Sequence, residues 1–90
     1  MVSAILLINC DFPFIEDVMA DLNRISETDY VYRVDGIYHI IAKVSSKTEE
    51  ELHNILKNEI SKIDKITTTV TLIIKTTIEE KEMIMILCRL

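Results

Sequence analysis

The stretch SAILLINCD, residues 3–11, has no polar side. Read with the two-residue period of a strand, Ala4, Leu6 and Ile8 fall on one face and Ile5 and Leu7 on the other. A strand apolar on both faces has to be covered on both. Asp11 and Pro13 end the run. The chain has 90 residues, one domain's worth of core, of which 49% are apolar. That is more apolar surface than so small an interior absorbs. The surplus points to a partner, most simply a second copy of the chain.

The periodicity of the remaining segments sets the layers. Residues 13–25 read as a helix whose buried stripe is Ile15, Val18, Met19, Leu22 and Ile25. Pro13 suits its first turn, and Glu16 and Asp17 suit the positive end of its dipole. Residues 28–34 and 37–45 read as strands joined at Asp35-Gly36, a two-residue type I′ hairpin signal at the one glycine of the chain. Residues 48–63 read as a second helix with the stripe Leu52, Ile55, Leu56, Ile60 and Ile63, capped by Thr48 with Glu51 or by Ser46 with Glu49. His53 lies beside that stripe as a surface residue. Residues 66–77 read as the last strand, with Thr67, Thr69, Thr71 and Ile73 on one face and Val70, Leu72 and Ile74 on the other.

The order β-α-β-β-α-β, with right-handed crossovers, gives an α+β, ferredoxin-like, four-stranded antiparallel sheet, order 4-1-3-2, with both helices on one face. The other face is apolar, so dimers are expected to form through the sheets. Residues 1–77 make this domain. Residues 78–90 form a C-terminal extension, expected as an extra strand or a helix in an oligomer interface.

Charge and motif content narrow the function. The formal charge is −5 and the ten basic residues are scattered, which argues against a nucleic-acid or membrane surface. The N-terminal apolar run lacks a basic flank and is too short to span a bilayer, so a cytoplasmic location is expected. Cys10 and Cys88 fit free thiols in a reducing compartment, a disulfide between them being the alternative. There is no P-loop, CxxC, HExxH or GxSxG pattern, and the Cys and His residues lack metal-ligand spacing. No metal or other cofactor is expected. The polar cluster at Asp35, Tyr38 and His39, with the threonines of the last strand, could hold a zwitterion: a carboxylate on N–H and hydroxyl donors, an ammonium on Asp35 or a carbonyl. Equally, Asp35-Gly36 reads as a turn alone and the threonines as β-propensity alone.

The hairpin VYRVDGIYHIIAKV resembles the V-x-G-x-[YF]-D hairpin of the Lrp/AsnC feast/famine regulators' effector-sensing (RAM) domain. KITTTVTLII is similar to that family's G-V-x-x-T-x-T-x-x-V strand, and AILLIN and the acidic first helix agree. The resemblance spans roughly residues 2–77. It implies the βαββαβ fold, dimers that assemble further into tetramers, octamers or rings, and an amino acid or related small molecule bound between dimers. Carried onto this chain, the effector-binding residues are Asp35, Gly36, Ile37, Tyr38, His39, Thr69 and Thr71. His39 stands where the motif has an aspartate, and Lys65 where it has a glycine. The chain starts directly at the first strand, which resembles the stand-alone form without a helix-turn-helix.

The reading is thus a sensing and oligomerisation module that modulates transcription regulators, including full-length Lrp/AsnC-type relatives, without binding DNA or catalysing a reaction itself. Two alternatives stay open. One is a small cofactor-free enzyme of the dimeric α/β-barrel type, with Tyr38 and His39 as acid–base groups. The other is an adaptor that assembles without ligand.

Overall fold

The computed structural model describes residues 1–74. The strand β1 (Val2–Cys10) is the axis of the sheet. It pairs antiparallel with β3 (Ile40–Ser46), from Val2 opposite Ser46 to Ile8 opposite Ile40. On its other side it pairs antiparallel with β4 (Ile66–Ile74), from Ser3 opposite Ile74 to Ile8 opposite Thr69. The strand β2 (Thr28–Arg33) lies outside β3, so the order is β2-β3-β1-β4. This is the expected arrangement, strand for strand.

The alternation in β1 decides where the core sits. Ala4, Leu6 and Ile8 are fully buried, and Ile40, Ala42 and Val44 of β3 share their face. The helices α1 (Ile15–Asn23) and α2 (Glu49–Asn58) cover that face with Ile15, Val18 and Leu22 from one and Leu52 and Ile55 from the other, forming a single apolar cluster. Ile5 and Leu7, on the opposite face, are only half-buried in the single chain. The second cover that the sequence demands is not supplied by residues 1–74.

Both helices are shorter than their apolar stripes. Pro13 sits in a 3₁₀ turn, Phe12–Phe14, and the α-helix begins at Ile15. Proline fits the opening turn because its missing N–H would have no helical partner there. Ile25 still joins the core from the turn beyond α1. At α2 the cap is Thr48, whose Oγ1 accepts from the Glu51 N–H at 3.1 Å. The Ser46 hydroxyl instead donates to the Thr48 carbonyl. Beyond Asn58 the chain tightens into a second 3₁₀ turn, Ile60–Lys62, which keeps Ile60 buried. The expected end of the last strand at 77, the 78–90 extension and Cys88 lie outside the described residues.

Urea unfolding separates these contributions. Leu6→Ala, which empties a fully buried site, is expected to cost about 2–5 kcal/mol. Thr48→Ala, which removes the α2 cap, is expected to cost about 1 kcal/mol.

Candidate functional site

The hairpin corrects one sequence expectation. A type I′ turn at Asp35-Gly36 needs positive φ at both residues and would pair Val34 with Ile37. The strands instead pair Arg33 with Ile40, and the Val34 N–H donates to the His39 carbonyl at 2.9 Å. Only Gly36 has positive φ, +152°, among the described residues. The loop is therefore wider than a two-residue turn. The cause lies in β1: the His39 N–H donates to the Ile8 carbonyl at 3.0 Å, holding β3 to β1 right up to the loop.

This geometry sets the exposure of each candidate residue. Asp35, Gly36 and Ile37 project into solvent, Ile37 with 85% of its surface exposed. No atom lies within 4 Å of a Cβ built on Gly36, so its backbone angle and not crowding is what calls for glycine. Tyr38 and His39 are half-buried. The Cys10 N–H donates to Nδ1 of His39 at 3.5 Å, so the neutral ring carries its proton on Nε2 and offers it as a donor. Cys10 itself is buried and has no disulfide partner among the described residues. Burial pushes its thiol pKa up, the Asp11 carboxylate adds to the rise, and Arg33 opposes it.

Thr69 and Thr71 share the helix-covered face of the sheet with Ile8 and Leu6, on β4, an edge strand among the described residues. They line a cleft of about 240 Å³ whose other walls are Leu56, Ile60, Ser61 and Ile63, from the end of α2 and the turn after it, and Ile66, from the start of β4. Thus the second half of the candidate site is a small aliphatic cleft with hydroxyls. One chain does not join the two halves. Ile40, at the base of the hairpin, and Thr69 flank Ile8 from opposite sides. Two strand spacings, about 10 Å, separate their backbones.

Other polar features were not readable from the sequence. Asn9 has a buried Oδ1 with no hydrogen-bond partner among the described residues. At the far end of the sheet Ser3 and Ser45 hydroxyls lie 2.8 Å apart, and Ser45 donates to Asp29 at 2.5 Å. A lone serine in a strand carries no periodic signal that would have revealed this. His53 is an exposed residue, as expected, 3.7 Å from Glu49. The helix-free face carries Leu72, Ile74 and Tyr32, respectively 53%, 41% and 59% exposed, beside Ile5 and Leu7. No helix among the described residues is long and apolar enough to cross a membrane.

Comparison with known proteins bears on all of this. The family model of the Lrp/AsnC ligand-binding domain matches residues 3–84. Among solved structures, FFRP-DM1 is 31% identical, with 82% of this chain and 99% of that one covered and a TM-score of 0.78. The AsnC protein of E. coli is 28% identical over 84% of this chain, which spans 52% of that protein, with a TM-score of 0.77. The transcriptional regulator NMB0573 of Neisseria meningitidis, solved as an L-Met complex, shares the fold at 9% identity, covering 88% of this chain and 53% of that one, with a TM-score of 0.75. No curated protein sequence matches significantly.

The Cys10 environment has a pH signature. Its raised thiol pKa means that the native state favours the neutral form. The associated stability is complete below the unfolded thiol value and is lost as pH rises through the native one. In a Cys88→Ser background the urea midpoint is expected to fall over that window, and Cys10→Ala is expected to flatten the fall.

Proposed function

Because the chain belongs to the Lrp/AsnC ligand-binding domain family, we propose that it senses an amino acid or related small metabolite at a junction between copies and changes its assembly in response. Asp35, Gly36, Ile37, Tyr38 and His39 come from one copy, and Thr69 and Thr71 from another. The observation that carries this reading is the separation of the two halves. The hairpin lies exposed on one side of β1 and the hydroxyl-lined cleft on the other, so each half is incomplete within its own chain.

The chemistry of the halves supports a zwitterionic ligand. Nε2–H of His39 and the threonine hydroxyls are donors for a carboxylate. Asp35 is the acidic group on the hairpin for an ammonium. A regulator with this fold is in complex with L-Met, which supports the ligand class. The exposed apolar sheet face supports dimerisation through the sheets, with the hairpin and cleft linking dimers into larger assemblies. With a formal charge of −5, the domain acts on DNA through regulator partners in mixed oligomers and not by its own contact with phosphates. The enzymatic alternative is weaker: the cleft is not lined by Tyr38 or His39.

Light scattering and thermal unfolding against each of the twenty amino acids test the proposal. At least one ligand is expected to change the mass and raise Tm. At a hundredfold excess over Kd, binding to the native state adds about 2.7 kcal/mol of stability. Thr69→Val with Thr71→Val is expected to abolish both responses while keeping the fold. Unchanged mass and Tm with all twenty would overturn the sensing role.

A further inference from the structure

The strand β4 is incompletely covered in three directions. Among the described residues it pairs only with β1, so the backbone groups along its outer edge have no strand partner there. On its helix side the cleft of about 240 Å³ lies between Thr69, Thr71 and the aliphatic side chains Leu56, Ile60 and Ile63. On its other side Leu72 and Ile74 are exposed.

The sequence that follows β4 holds a segment of matching character. Residues 75–90 lie outside the described residues, and within them Met83, Ile84, Met85, Ile86, Leu87 and Cys88 run without a charged or amide side chain. Both alternating sets are apolar: Met83, Met85 and Leu87 in one, Ile84, Ile86 and Cys88 in the other. That is the two-sided pattern of β1, and a strand of this pattern needs cover on both faces. Glu82 and Arg89 bound the run with charge. The family match stops at residue 84, so most of the run is this chain's own. We propose that residues 83–88 add to β4 of the same chain as a fifth, antiparallel strand opposite residues 68–73, and so cover the cleft.

This pairing answers each gap. The outer edge of β4 gains a ladder of backbone bonds. Met83, Met85 and Leu87 come beside Ile73, Thr71 and Thr69, on the side of the cleft, and unbranched methionines fill an irregular aliphatic hollow well. Ile84, Ile86 and Cys88 come beside Leu72, Val70 and Thr68 and extend the apolar helix-free face. The return needs only residues 74–82, with Glu79, Glu80, Lys81 and Glu82 as its polar part, so closing it within one chain costs little.

This rests on the inter-copy site proposed above and adds its regulation. The fifth strand takes the wall that an effector would touch. Strand and effector therefore compete, and each weakens the other by the same factor.

Cys88 is the probe. In the full chain, Thr68→Cys and a control on exposed α2, Asn54→Cys, are oxidised separately with diamide. Thr68→Cys is expected to form a disulfide within one chain, read as a monomer two hydrogens lighter, and to lose it when Cys88→Ser is added. Asn54→Cys is expected to give several times less. Equal yields at the two positions would overturn the proposal. So would a disulfide that joins two chains, which would put the segment on a second copy. Hydrogen exchange reads the backbone without added cysteines. Ile84→Asp with Ile86→Asp is expected to speed exchange of residues 68–73 by about tenfold or more while β3 keeps its protection. Unchanged exchange there would overturn the strand. Titrated with each of the twenty amino acids, the same variant is expected to bind any responding one several times more tightly than the unaltered chain. Equal affinity would overturn the covering of the cleft. No response in either protein would overturn the sensing role and leave the strand to its disulfide and exchange results, so the two failures are distinguishable.

Discussion

Everything described depends on β1 being paired on both edges while apolar on both faces. Pairing with β3 and β4 satisfies its backbone. The helices satisfy one face, where Ala4, Leu6 and Ile8 are wholly buried. Ile5 and Leu7 remain half-covered, and the neighbouring side chains Leu72, Ile74 and Tyr32 remain largely exposed. The proposed dimerisation through the sheets rests on this face. The first strand therefore specifies at once the inside of the domain and a second apolar face that residues 1–74 leave partly open.

That central position of β1 also divides the candidate site. Whatever hangs from β3 lies on one side of it and whatever belongs to β4 lies on the other. A ligand that touched the 35–39 loop and the threonine cleft together would couple its binding to the association of two copies. Linkage then requires that association changes ligand affinity as much as ligand changes association. Under the proposed reading no internal hinge is needed, because assembly states with different contacts to the ligand suffice.

The fold was legible because it is written in periodicity. The two-residue period of residues 3–10 and the helical stripes of Ile15, Val18 and Leu22 and of Leu52 and Ile55 define layers without reference to distant residues. What escaped was set by long-range contacts. Asp35-Gly36 is a strong local hairpin signal, but the loop is widened by the bond from His39 to Ile8, 31 positions away in the chain. Helix ends were overrun because Ile25 and Ile60 continue the apolar stripe while lying in turns. For β4, alternation puts Thr69, Thr71 and Ile73 on one face. Only their pairing with Ile8, Leu6 and Ala4 shows that this is the helix side of the sheet. Asn9 and the Ser45–Asp29 bond left no mark in the sequence at all.

His39 shows how a hairpin can keep its frame while changing its chemistry. Its backbone N–H and its Nδ1 are both spent on β1, on the Ile8 carbonyl and the Cys10 N–H. The ring continues the ladder past the point where β3 leaves it. An aspartate, the residue at this place in the motif that the hairpin resembles, could accept from the same Cys10 N–H, but its remaining oxygen would face outward as a second acceptor carrying charge. The imidazole accepts inward and donates outward from Nε2. The backbone of the site is then unchanged while the polarity it offers a ligand is reversed. Under the proposed reading, His39 faces the ligand's carboxylate, and Asp35 becomes the acidic group left on the hairpin for an ammonium.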